Sequence, residues 1–146
     1  MDLKKIIVLF LVVLLSGCSF LNASKYNQIP GSGKIVVDQS EYEMIAGEYE
    51  WEGGKTKIKR IDPVSPIESA KDFDTLKVGK NKKIEIVIDD NPNLTVYQWT
   101  EDGVSKELTL TDNIVTVPSK SGYYIYEVVG KWPDGTASYI FDVEVK

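Results

Sequence analysis

The chain has 146 residues, 17 basic and 22 acidic side chains, no histidine and a single cysteine. A net charge of −5 without clustered Lys and Arg excludes nucleic acid as the main partner, because such binding needs cations that displace phosphate counterions. Lack of histidine removes the usual general base near neutral pH and the commonest metal ligand, and one cysteine cannot close a disulfide within the chain.

In chain order, Lys4 and Lys5 precede an unbroken apolar run over residues 6–15, followed by Leu15-Ser16-Gly17-Cys18. The run is shorter than the ~20 apolar residues of a spanning helix. This arrangement resembles a bacterial lipoprotein signal peptide, residues 1–17, with its lipobox. The resemblance implies cleavage between Gly17 and Cys18, a diacylglyceryl group on the Cys18 thiol and a palmitate-type acyl chain on the new amine. Two or three chains suffice for lasting attachment, since each buried CH₂ contributes ~0.8 kcal/mol. The expected location is the extracytoplasmic face of the cell membrane, with the protein held there by the lipid anchor on Cys18. The remaining 129 residues carry a net charge of −6, suit one domain, and show no polybasic second membrane signal.

Residues 18–33 mix Ser, Asn, Gln, Gly and Pro with few apolar side chains and read as a lipidated flexible tether. Residues 34–146 read as a single β-sandwich domain, divided into an N-terminal hairpin with a short helix (34–74) and a core (75–146). Ile35-Val36-Val37 opens it. Residues 42–51 and 55–61 flank Glu52-Gly53-Gly54 and predict a hairpin, with the second strand at an edge. Ser65-Pro66-Ile67-Glu68 matches a capping box with proline at the first helical position and predicts one short helix near residues 66–73. Strands are then expected over 75–78, 83–88, 94–100, 105–110, 114–117, 123–132 and 136–145. Turns containing Asn81, Asn91-Pro92, Gly103, Asn113 and Pro133-Asp134-Gly135 divide them.

Over residues 75–146 this pattern resembles immunoglobulin-like domains. Val96-Tyr97-Gln98-Trp99 before Asp102-Gly103 is similar to the strand with a core tryptophan. Tyr124 in Ser121-Gly122-Tyr123-Tyr124-Ile125-Tyr126 stands in the tyrosine-corner position, and Tyr126 stands where antibody domains place a disulfide cysteine. The expected fold is therefore mainly β, an immunoglobulin-like β-sandwich with an N-terminal β-hairpin extension. The whole chain also resembles secreted or lipid-anchored proteins of Bacillus-type Gram-positive bacteria. Gly47-Glu48-Tyr49-Glu50-Trp51, Ser65-Pro66, Tyr124-Ile125-Tyr126-Glu127-Val128, Lys131-Trp132 and Ala137-Ser138-Tyr139 carry that likeness. It implies no activity.

Three aromatics, Tyr49, Trp51 and Trp132, are candidates for a ligand or partner surface; the alternative for each is packing. Trp99 is expected in the core. Asp89, Asp90, Asn91 and Asn93 offer oxygens, but around Pro92 they make a turn and match no calcium loop. Glu41, Glu43, Glu48, Glu50 and Glu52 alternate along the chain, which predicts a solvated ridge. No catalytic set, metal site or cofactor motif emerges. The function expected is a non-enzymatic module of the cell envelope that binds an envelope protein or peptide. The alternatives are a small envelope hydrolase using carboxylates and a structural spacer or envelope-stress factor. Nothing in the sequence sets an oligomeric state.

Overall fold

The computed structural model describes residues 31–53, 56–60 and 64–146. The lipobox residues Gly17 and Cys18, most of the tether and the Gly54 turn lie outside the described residues. Eleven strands are present among those described: β1 (Gly33–Val37), β2 (Ser40–Glu43), β3 (Ile45–Gly53), β4 (Thr56–Arg60), β5 (Leu76–Val78), β6 (Lys83–Ile88), β7 (Asn93–Trp99), β8 (Ser105–Leu108), β9 (Ile114–Thr116), β10 (Gly122–Trp132) and β11 (Gly135–Val145). They form two sheets. The smaller has the order β2-β1-β6-β9 and the larger β4-β3-β11-β10-β7-β8. Strand β5 lies parallel to the end of β11, pairing Val143 with Leu76, on the edge whose other half takes β3. The fold is a mainly β sandwich with one short helix.

Alternation decides which residues meet between the sheets. Ile84, Ile86 and Ile88 of β6 are buried, while Lys83, Glu85 and Val87 face outward, as period-two geometry requires. They pack with Ile35, Val115 and Val117 against Val96, Tyr126, Val128, Phe141 and Val143 of the larger sheet. Two-residue turns with both residues at positive φ reverse the chain at Asp38-Gln39 and Asp112-Asn113, and Asp90-Asn91, also at positive φ, lies in the four-residue crossing from β6 to β7. Short Asp and Asn side chains tolerate that left-handed region.

The Ser65 half of the capping box forms, whereas the Glu68 carboxylate turns to Lys71, at 2.6 Å, instead of back to the cap. The Ser65 Oγ accepts from the Glu68 backbone N–H at 3.3 Å and opens helix α1 (Pro66–Ser69), which tightens into a 3-10 turn, Ala70–Asp72. Two turns are too short to persist alone, so burial holds them. Ala70 is fully buried on Ile125 and Ile140, with Ile67, Ile45 and Trp99 around them. Beyond the turn, Phe73 re-enters the main core edge-on to Phe141, with ring centroids 6.4 Å apart.

The structure differs from the sequence expectation in two places. The run over residues 42–51 is cut at Met44: β2 joins the smaller sheet and β3 the larger. Met44 is buried at the crossing, its N–H donating to the Gly33 carbonyl at 2.9 Å. Glu41 and Glu43 therefore stand on an edge strand, whereas Glu48, Glu50 and Glu52 lie on an internal strand between β4 and β11. Trp99 is also on the opposite face from the main core. Val96 points between the sheets, so Trp99, an odd number of residues later, points outward into the smaller cluster under α1.

Candidate functional site

The long β10–β11 hairpin turns through Pro133 and Asp134 alone, which brings Trp132 opposite Gly135 and Gly135 opposite Trp51. Gly135 is required by close approach: a Cβ there would overlap the Glu50 carbonyl oxygen and lie 2.6 Å from the Trp51 ring. The two indoles then meet with centroids 5.2 Å apart, tilted by 59°. Trp132 also lies over Gly130, where a Cβ would come within 2.7 Å of its ring, and its Nε1 donates to the Asp89 carbonyl at 3.3 Å. Its orientation is thus fixed from three sides.

Tyr49 shares the face of Trp51 on β3 but packs against the main core, as Trp132 does along its other flank. The structure therefore brings Trp51 and Trp132 together and gives Tyr49 to packing. Ile58, opposite Trp51 in register on β4, remains 36% exposed beside them. This apolar end is also where the described chain begins: the Tyr139 hydroxyl donates to the Gly31 carbonyl at 2.8 Å, and Gly33 pairs with Ile88. Burial pushes the Tyr139 hydroxyl up to about 12, so it stays a donor.

The opposite face of the larger sheet carries a polar trough that sequence reasoning missed. One part, about 410 Å³, is lined by Glu50, Glu52, Lys131, Asp134 and Thr136 near the hairpin tip. A second hollow of about 180 Å³ shares Glu50 and Thr136 and continues to Glu48, Ser138 and Glu127. The second exists because β11 shifts register between Ala137 and Tyr139, and Gly47 has no side chain to fill the space at Ser138. The Ser138 Oγ accepts from the Glu48 N–H at 3.0 Å.

Charges in the trough are not equivalent. Glu50 bonds Lys57 at 2.5 Å and Lys59 at 3.4 Å, and Glu52 bonds Lys57 at 3.2 Å. Those ammonium groups hold the Glu50 carboxyl below its ordinary range. Glu127 goes the other way. Burial raises it, the nearby Glu48 raises it further, and the Trp99 Nε1–H, donating to Oε2 at 3.0 Å, partly offsets both. The signal for Glu127 was available in register: it lies between Tyr97 and Ile140 on neighbouring strands, an apolar setting for a carboxylate.

The hollow holding Glu48 and Glu127 is by itself smaller than the ~300–1,000 Å³ of small-molecule sites, whereas the part of the trough at the hairpin tip falls within that range. Among the described residues no group of three His, Cys, Asp or Glu is placed to hold a metal ion, and no helix is long and apolar enough to cross a membrane. The Asp89–Asn93 cluster is a turn, with Asp90 and Asn91 at positive φ.

No protein-family model matches the chain, and no curated protein or solved structure matches it either.

Proposed function

We propose that this protein is a lipid-anchored, extracytoplasmic lipoprotein of a Gram-positive-type bacterium, and that its sandwich binds an envelope protein or peptide without catalysing a reaction. The carrying observation is the Trp51–Trp132 pair, held at 5.2 Å at the end of the sandwich where the described residues begin, beside exposed Ile58. Clamped aromatic side chains give large contact area with little ordering entropy, the quality of binding hot spots. The anchor rests on Cys18 and the cleavage site after Gly17; the thirteen residues from there to Pro30 span at most about 45 Å when extended.

An immunoglobulin-like reading of the sandwich has two supports. Strands β5, β11, β10, β7 and β8 form one layer over β6 and β9. The Tyr124 hydroxyl donates to the Lys120 carbonyl at 2.9 Å, the contact of a tyrosine corner. The non-catalytic reading is supported by the small hollow at Glu127 and by the lysines that occupy Glu50 and Glu52.

A photo-crosslinking residue at position 51 in intact cells tests the binding role. One envelope protein or peptide should be captured, and capture should be lost in Trp132→Ala. Capture no greater than from a probe on β8 would leave only a spacer role. For the anchor, Cys18→Ser should abolish labelling by radioactive palmitate and release the protein from membranes. Label persisting on that variant would refute the assignment.

A further inference from the structure

The polar trough opens beside Trp132 at the hairpin tip and runs inward along the larger sheet to Ser138 and Glu127. Five carboxyls line it, those of Glu48, Glu50, Glu52, Glu127 and Asp134. Three ammonium groups, those of Lys57, Lys59 and Lys131, line it or bond to it. Their charges do not cancel evenly. Lys57 and Lys59 are taken up by Glu50 and Glu52, and Lys131 shares the tip with Asp134. The excess of negative charge therefore falls on Glu48 and Glu127, at the inner end.

Among the described residues neither of these two makes an ion pair, and Glu127 has the Trp99 Nε1–H as its side-chain donor. A half-buried carboxylate is costly unless a cation or several donors compensate it. Burial and the Glu48 charge both raise the Glu127 carboxyl, the sense expected of a group short of a cation. Ser138, 7% exposed, lines the same hollow. Its Oγ accepts from the Glu48 N–H, and a hydroxyl oxygen has a second lone pair to offer. Val129 and Ala137 add apolar wall. The register shift of β11 and the bare Gly47 keep this space open, so it is built into the sheet.

We infer that the hollow takes the side-chain ammonium of a lysine, carried by the partner segment whose apolar part rests on Trp51 and Trp132. A lysine brings one positive charge, three donors and an alkyl stem. Glu48 and Glu127 supply the missing counter-charge, Ser138 a further acceptor, and Val129 and Ala137 a surface for the stem. Two carboxylates and a hydroxyl fall short of the ~6–8 oxygens that a calcium ion takes. Trp132 lines the tip of the trough, so one extended segment can reach both places. This rests on the peptide-binding reading above and adds the charge that the partner segment must carry.

The test titrates detergent-solubilised full-length protein, isotope-labelled at the indole nitrogens, with capped peptides that place Leu and Lys one to four Thr apart. At least one spacing should bind and shift the indole N–H resonances of both Trp132 and Trp99, the latter because Glu127 is its acceptor. Acetylating the lysine side chain of that peptide should weaken binding at least tenfold with the protein unchanged. Glu48→Gln combined with Glu127→Gln should do the same, and the acetylated ligand keeps the test sound if that variant folds poorly. Equal binding of the acetylated peptide would overturn the ammonium site while leaving the peptide-binding reading standing. No binding at any spacing would also overturn it, and capture from position 51 decides the wider reading by itself. Binding of 1,4-diaminobutane or calcium chloride as tightly as the best peptide, with the same Trp99 shift, would assign the hollow to a small cation and overturn the lysine.

Discussion

Tyr126 lies nearly flat on Phe141 at the centre of the sandwich, with ring centroids 4.9 Å apart and planes inclined by 16°. Both side chains are fully buried, and among the described residues the Tyr126 hydroxyl has no hydrogen-bond partner. The two residues are register partners on β10 and β11, so the stack lies on the inner face of the larger sheet, and the core side chains of the smaller sheet pack with it. A buried hydroxyl without a partner costs free energy, whereas the ring contributes dispersion and burial. Tyr126→Phe should therefore leave stability unchanged or raise it by about 1 kcal/mol in urea denaturation. Phe141→Ala should lower it by about 3–5 kcal/mol. A loss above about 1 kcal/mol in Tyr126→Phe would show that the hydroxyl is satisfied in solution.

Two carboxyls make stability depend on pH. Asp142 is 1% exposed; burial raises it above its ordinary 3.8, partly offset by the Tyr123 hydroxyl, donating to Oδ2 at 2.7 Å, and by Thr75. Glu127 is raised above 4.5 by burial and Glu48. A folded-state value above the unfolded one means that the folded protein binds more protons. Stability is then greatest below the ordinary values and falls as pH rises through the folded ones. The urea midpoint should be higher at about pH 5 than at about pH 7, and Glu127→Gln with Asp142→Asn should flatten that slope. Exposed Glu50 acts in the opposite sense only below its ordinary 4.5. An unchanged slope in the double variant would place the protons elsewhere.

The Tyr124 bond to Lys120 ties the start of β10 to the preceding turn. Removing it in Tyr124→Phe should cost about 0.5–1.5 kcal/mol, read as a shifted denaturation midpoint with the far-UV spectrum intact. A midpoint equal to that of the parent would mean that water replaces the bond at no cost.

Gly135→Ala should do more than its size implies. The added methyl meets the backbone carbonyl of Glu50, which is fixed in the β3–β11 ladder and cannot swing aside. We expect a loss of about 1–3 kcal/mol together with a reduced near-UV circular dichroism signal from the separated Trp51 and Trp132. Intact tryptophan signal in that variant would show that the hairpin tip yields without parting the indoles.

Much of the fold was legible because its signals were local. Ile84, Ile86 and Ile88 announce a half-buried strand, Ser65 and Glu68 announce a helix start, and Pro133-Asp134-Gly135 announces the hairpin. What stayed hidden depended on distant residues. The turn at Asp38-Gln39 lacks glycine or asparagine, and Met44 breaks the next run without any turn residue, so β2 and β3 read as one strand. Trp99 looked like a core residue because only the α1 cover makes the outer face of the larger sheet apolar. Of the aromatic candidates, type and spacing pointed to all three, but only the pairing of β3 with β11 sets Trp51 against Trp132 and leaves Tyr49 to the core. Glu127 was missed because its neighbours are on other strands.

Strand β11 follows in the sequence every strand that it joins: β3 and β5 along one edge and β10 along the other. The larger sheet has no centre until those last residues have been made, and Ile45 must then find Ile140 across most of the described chain. Such long loop closures make folding slow, in the millisecond-to-second range of sandwiches with non-local pairing. Synthesis order and topology together keep the larger sheet open until β11 has been made, so the emerging polypeptide spends that interval with its pairing edges on β3, β5 and β10 unfilled.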